Sequence, residues 1–313
     1  SLDPLIDEIL GYTRYAFEGR VEGTGEGVVT ASIVDRGGIG RELRSRLDDN
    51  PELRGTKHRV AVEKVVTLAR GRSDGRTVLL VASTYREAEQ LTADLGDLLG
   101  EDAVAYYPAW ETLPHERLSP RADTVGRRLA VLRRLAGHDD VGAPRVVVAP
   151  VRSLLQPQVR GLSEMAPVRI EVGREYPLGD LLRDLAGAAY NRVDLVERRG
   201  EFAVRGGIVD VFPPTAEHPV RVDFFGDEVD EIRTFTVADQ RSTGETMTAV
   251  VAPPCRELLL TDDVRARARR LAAQHPELAD LLGPVSEGHA KEGMEALIPV
   301  LVGGLELLAQ HER

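Results

Sequence analysis

Three short, wholly apolar runs, TVLLVAS (77–83), AVAYYP (103–108) and RVVVAP (145–150), set the strongest constraint on what this chain can fold into. A strand buried on both faces reads as an unbroken apolar run, and parallel neighbours need a long crossover between them, usually a helix. TYREAEQLTADLGDLLG (84–100) and ADTVGRRLAVLRRLAG (122–137) supply such helices, and in the second Val125, Leu129, Leu132 and Leu135 share one face. KHRVAVEKVVTLARG (57–71) is a further helix that finishes on a glycine cap. Strand and helix in alternation predict a parallel sheet covered on both faces.

From about residue 155 the pattern changes. APVRIEVG, EFAVRGGIVDVF, VRVDFFG and EIRTFTV alternate apolar with polar residues and are punctuated by Gly, Pro and Asp, which predicts antiparallel strands, with one helix, LGDLLRDLAGAAY, among them. This is a separate α+β region. After about 240 helical patterns return: TDDVRARARRLAAQH opens on a Thr-Asp pair suited to an N-cap, and GMEALIPVLVGGLELLAQ is apolar enough for a buried helix. Residues 1–56 are Gly-rich without a clear period, and no repeat or low-complexity tract stands out.

Length and composition limit function. A chain of 313 residues can bury two or three cores. Its net charge of -11 and its 4% aromatic content argue against nucleic-acid binding by bulk field or by base stacking. No apolar stretch approaches the length of a membrane span, and the single cysteine, Cys255, excludes an internal disulfide and fits a reducing compartment, so cytoplasm is the expected location. A start without Met and an end at LLAQHER, directly after an apolar pattern, lead to the expectation of a piece of a longer protein.

A parallel sheet raises the question of a nucleotide site. A P-loop needs a Gly-rich turn and a Lys between strand and helix, so that backbone N–H groups cradle phosphate. GRSDGRT (71–77) has its glycines too close, Arg for Lys, and a strand after it, and RGTKHRVAVEKVV (54–66) has one glycine, with Lys57 its only candidate phosphate ligand. RVVVAPVRS lacks the acidic residue that would hold magnesium, and DEVDE (227–231) reads as a solvated strand edge. His115 and Glu116 lack a second His at metal spacing. Arg127, Arg128, Arg133 and Arg134 read as a solvated helix face. No catalytic and no metal residue is assigned, and no cofactor is expected.

One segment resists the simple reading. RRGEFAVRGGIVDVFPP (198–214) looks like a strand with a broken middle, with Arg205 between an apolar position and Gly206-Gly207. YYPAWETLPHERLSPRADTVGRRLAVLRRL (106–135), YNRVDLVERRGEFAVRGGIVDVFPPTAEHPVRVDFFGDEVDEIRTF (190–235) and VADQRS (237–242) together resemble the N-terminal UvrB-like module of the bacterial transcription-repair coupling factor (Mfd) family. The resemblance covers roughly 76–313. It implies a degenerate RecA-like, P-loop NTPase-type α/β domain with an inserted α+β domain: 1–154 and 237–313 for the first, 155–236 for the insert. It further implies that the insert binds UvrA, without ATPase or strand-separating activity. The full-length protein would be an ATP- and Mg-using DNA translocase acting on RNA polymerase and double-stranded DNA. The alternative is a UvrB-type ATPase or helicase with an irregular phosphate loop.

Carried over by motif, the partner contacts are Arg192, Arg205, Asp223 and Phe224, with Arg199 a weaker candidate and Ala203 standing where UvrB has an arginine. Arginine fits this use because its planar fork pairs bidentately with a carboxylate. The competing structural role for Arg205 is a pair with Asp223 or Glu201 in its own sheet, and Gly206-Gly207 is expected to form a bulge that re-aims the arginine.

Overall fold

A computed structural model describes residues 77–306 except 114, 115, 117 and 157, together with Val62, Val65, Val66, Ala69 and Arg70. The readings of residues 1–56, of Lys57, of His115 and of most of GRSDGRT lie outside the described residues. Two compact units are present: one takes the described residues up to 109 and 141–156, the other 110–140 and those from 158 onward.

The first unit is the parallel layer. Strand β1 (Val78–Ala82), helix α1 (Tyr85–Leu99), strand β2 (Val104–Tyr106) and strand β3 (Val146–Pro150) form a sheet in the order β1-β3-β2, all parallel. Central β3 is buried at all five positions, which is what its unbroken apolar run predicted. Helix α1 starts at Thr84, whose hydroxyl accepts from the Glu87 N–H at 3.2 Å, while the Glu87 carboxylate reaches back to the Ser83 N–H at 3.0 Å. Its Ala88, Leu91 and Leu95 pack on the sheet with Val62, Val65 and Ala69, which have helical spacing.

The second unit is built on a six-stranded sheet. It holds helix α2 (Ala122–Ala136), strand β4 (Gln158–Val159), strand β5 (Val168–Glu171) and helix α3 (Leu178–Gly187). The sheet follows: β6 (Asn191–Arg192), β7 (Glu201–Arg205), β8 (Ile208–Val211), β9 (Val220–Phe225), β10 (Glu228–Phe235) and β11 (Ser242–Met247), ordered β11-β10-β9-β8-β7-β6. All pairs are antiparallel except β6 with β7. Strand β12 (Ala249–Ala252) pairs with β5.

Period-two alternation decides which face is core. Phe202, Val209, Val211, Val220, Val222 and Ile232 bury one face against Leu181 and Leu185 of α3, each fully buried side chain contributing about 1.5–3 kcal/mol. At the β11 edge all six residues are exposed, and the register with β10 breaks between Arg233 and Phe235. Gly244, at φ +88°, sits inside the break. DEVDE is not an edge either: β9 pairs one side of it, and on the other the Gly173 N–H donates to the Val229 carbonyl and the Val229 N–H to the Arg174 carbonyl, with Glu228 and Asp230 exposed and Val229 in the core.

The remaining helices hold the other surprises. Helix α4 (Asp262–Gln274) has the expected cap, Thr261 accepting from the Val264 N–H at 3.4 Å. Helix α5 (Ala279–Glu287) was not foreseen because Pro284 interrupts its sequence. Over its described part, 293–306, the expected helix of GMEALIPVLVGGLELLAQ is instead a 3-10 turn, one helical turn at Ile298–Leu301 and strand β13 (Leu305–Glu306) paired with β4; Pro299 and Gly303-Gly304 break the helix, although Met294, Ile298 and Leu301 are buried as expected.

Nor is the arginine face of α2 solvated throughout, although Arg127 is exposed. Arg128 is fully buried, donating from Nε to Glu257 at 2.5 Å, and Arg133 donates to the Met165 carbonyl at 2.9 Å and the His138 carbonyl at 2.6 Å. The helical period places these arginines beside the apolar stripe, where their stems pack and buried acceptors meet their heads.

Candidate protein-binding face

The broken strand is a hairpin. β7 and β8 pair from Phe202↔Val211 to Arg205↔Ile208, leaving Gly206-Gly207 as a two-residue loop. Gly206 has φ +61° and Gly207 does not share the sign, the pattern of a type II′ turn, whose twist suits antiparallel strands. No bulge is needed, because Arg205 simply ends its strand. Gly207 has a separate reason: a Cβ there would stand 3.1 Å from the Phe224 carbonyl oxygen, and the Gly207 carbonyl accepts from the Phe224 N–H at 2.8 Å. The β7–β8 turn and the end of β9 are thus bound together at one end of the sheet.

Opposite the core, the sheet carries charge in rows. In register across the strands lie Ala203, Asp210, Arg221 and Arg233, and in the next row Arg205, Ile208, Asp223 and Glu231. Asp210, only 2% exposed, accepts from Arg221 Nε at 2.7 Å and Nη2 at 2.8 Å. That bond is the main cause holding the Arg221 guanidinium above its ordinary pKa. The same guanidinium stacks 4.8 Å from the Phe235 ring centroid. Asp223 pairs with Arg233 at 2.6 Å, and Arg233 also meets Glu231 at 2.7 Å.

Arg205 is half exposed, and its Nη2 stands 3.7 Å from Asp210. Its carboxylate neighbour is therefore neither Asp223 nor Glu201. Arg192 is exposed on edge strand β6, in register with Phe202, and so has the parity of the Phe202 side of the sheet and not of the charged rows. Ala203 is 2% exposed under Val196, Phe212 and Phe235, where an arginine would not fit unaltered. Arg199 lies over the Phe212 ring at 4.9 Å and donates to the Ala216 carbonyl.

Phe224 packs against the α3-facing core, whereas Phe225 is 83% exposed at the β9–β10 turn. Strand parity assigns Phe225, not Phe224, to the side of Arg221 and Asp223, and that alternation was available in VRVDFF. Among the described residues no cluster of three or more His, Cys, Asp or Glu could hold a metal, and no helix is long and apolar enough to cross a membrane. What this end of the sheet can do chemically is offer an exposed guanidinium and an exposed aromatic ring to a protein surface.

Residues 168–256, which contain the sheet and its charged face, match the UvrB interaction domain. The chain is 56% identical over 236 residues to the transcription-repair-coupling factor of Mycobacterium tuberculosis, covering 72% of this chain and 19% of that protein. To the transcription-repair-coupling factors of Bacillus subtilis and Escherichia coli it is 36% and 32% identical, over 66% and 54% of its own length and 17% and 14% of theirs. The chain is thus similar to transcription-repair-coupling factors, and it spans about a fifth of the length of the mycobacterial ones.

Proposed function

We propose that this chain is the UvrA-binding module of a transcription-repair-coupling factor, non-catalytic and without a cofactor of its own, working in the cytoplasm. The observation that carries the reading is the exposed pair Arg205 and Phe225 on a charged sheet face inside the UvrB interaction domain. Arg192 and Asp223 complete the contact set, and Phe225 takes the aromatic role first given to Phe224. An arginine beside an aromatic ring is the usual composition of an interface hot spot. In this reading the domain of 155–236 is inserted into a RecA-like layer. The whole protein is an ATP- and Mg-dependent DNA translocase that displaces stalled RNA polymerase, and this module brings UvrA to the lesion. The relatives named above do not favour the UvrB-type ATPase alternative.

Capture of UvrA by the immobilised chain tests the reading. Arg192→Ala, Arg205→Ala and Phe225→Ala each should weaken capture by about tenfold or more, the loss of roughly 1.4 kcal/mol or above, with melting temperature little changed. Unaltered capture by all three variants would remove the interface from this face.

A further inference from the structure

We infer that Asp210, buried beneath the charged face, is a positioning residue for partner binding: it pins Arg221 and keeps Arg205 oriented with its donors unspent. The inference rests on the UvrA-binding reading above. A carboxylate that is 2% exposed is costly unless paired, and this one is paired in a particular way. Arg221 takes both of its oxygens, at 2.7 and 2.8 Å. Phe235 beneath the guanidinium and the Gln240 carbonyl, 3.4 Å from Nη1, fix the remaining freedom of Arg221.

Arg205 sits differently. At 3.7 Å from Asp210 it is attracted but not hydrogen-bonded, and it donates to no side chain or carbonyl among the described residues. The same carboxylate therefore fixes one arginine fully and aims the other, leaving the fork of Arg205 for a partner's carboxylate. Without the charge on Asp210, Arg221 would turn to Asp223, the other carboxylate whose field it feels, and compete with the Asp223–Arg233 pair at 2.6 Å. The face would then have to be reordered on binding, which costs affinity.

Calorimetric titration of UvrA into this chain separates the possibilities, with Arg205→Ala, Asp210→Asn, their double variant and Val211→Ala alongside the parent. Asp210→Asn should raise Kd about tenfold at unchanged stoichiometry. The double variant should bind no more than about twofold more weakly than the weaker single, because Asp210 acts through the arginines. Val211→Ala, in the opposite core, should lower the melting temperature and leave Kd alone. A merely structural role for Asp210 would lower the stoichiometry and make the two losses multiply, which would overturn the inference. So would Asp210→Asn binding like the parent while Arg205→Ala binds weakly. If Arg205→Ala itself binds like the parent, this inference falls, while the interface reading is decided by Arg192→Ala and Phe225→Ala. Should Asp210→Asn not fold, Asp210→Asn with Arg221→Gln keeps a neutral hydrogen bond across the pair, and the same expected tenfold loss and the same overturning results apply.

Discussion

Replacing Arg128 by methionine tests whether α2 is held by a buried charge. The Arg128 and Glu257 side chains are both fully buried, with Nε 2.5 Å from Oε1. Trp110 Nε1 donates to that same oxygen at 2.9 Å, while Glu257 Oε2 has no hydrogen-bond partner among the described residues. At an effective dielectric of about 20 the attraction at this distance is roughly 7 kcal/mol before the desolvation of both groups offsets most of it. Arg128→Met removes the attraction and leaves the desolvation of Glu257, so the expected loss is about 3–5 kcal/mol. For a unit of this size that is a fall of roughly 6–20 °C in melting temperature. The chain has one tryptophan, so intrinsic fluorescence follows the site itself through the melt. Pairing Arg128→Met with Glu257→Gln removes the stranded charge and should restore most of the loss. A single variant that melts within about 2 °C of the parent would show that Glu257 is not stranded and refute the reasoning.

Gly126→Ala in α2 should destabilise by about 1–3 kcal/mol in urea titration, against the roughly 1 kcal/mol that alanine gains in an exposed helix. The reason is steric: a Cβ at Gly126 would stand 2.5 Å from Pro214 Cβ. At high pH a different group matters. Burial pushes the Cys255 thiol well above its ordinary range, and burial does the same to the Tyr190 phenol. A pKa raised by folding gives stability that is complete below the unfolded value and lost as pH rises, so above about pH 9 the urea midpoint should decline, with Cys255 contributing up to about 1.4 kcal/mol per pH unit. Cys255→Ala should flatten that decline between pH 8.5 and 10, before Tyr190 adds its own, and identical slopes in both proteins would refute the assignment.

Much of this molecule could be read from periodicity, and the failures share a cause. The unbroken runs of β1 and β3 and the Thr cap of α4 are local signals, and each appears where expected. Arg128, by contrast, belongs to the core only because Glu257 arrives from 129 residues away. Nothing in ADTVGRRLAVLRRLAG announces that partner. Gly206-Gly207 was taken for a bulge when the spacing between EFAVR and IVDV already satisfied a two-residue hairpin. The motif points to Phe224, whereas parity counted from Val220 and Val222 puts the exposed ring at Phe225. The ion rows were legible as residue types but not as pairs. Asp210 bonds Arg221, its register partner, whereas Asp223 reaches diagonally to Arg233, and only the strand order decides between such options.

The outer edge of β11 carries a consequence for the company this sheet keeps. Ser, Thr and Glu side chains line it, and the kink at Gly244 splits it into two short stretches that hold different registers. A second copy laid alongside would find no run long enough to zip onto, so lateral growth stops at the first strand added. Along this edge a partner is therefore recognised by side chains rather than by backbone pairing. Contacts of that kind discriminate between surfaces, which a ladder of main-chain hydrogen bonds cannot do alone.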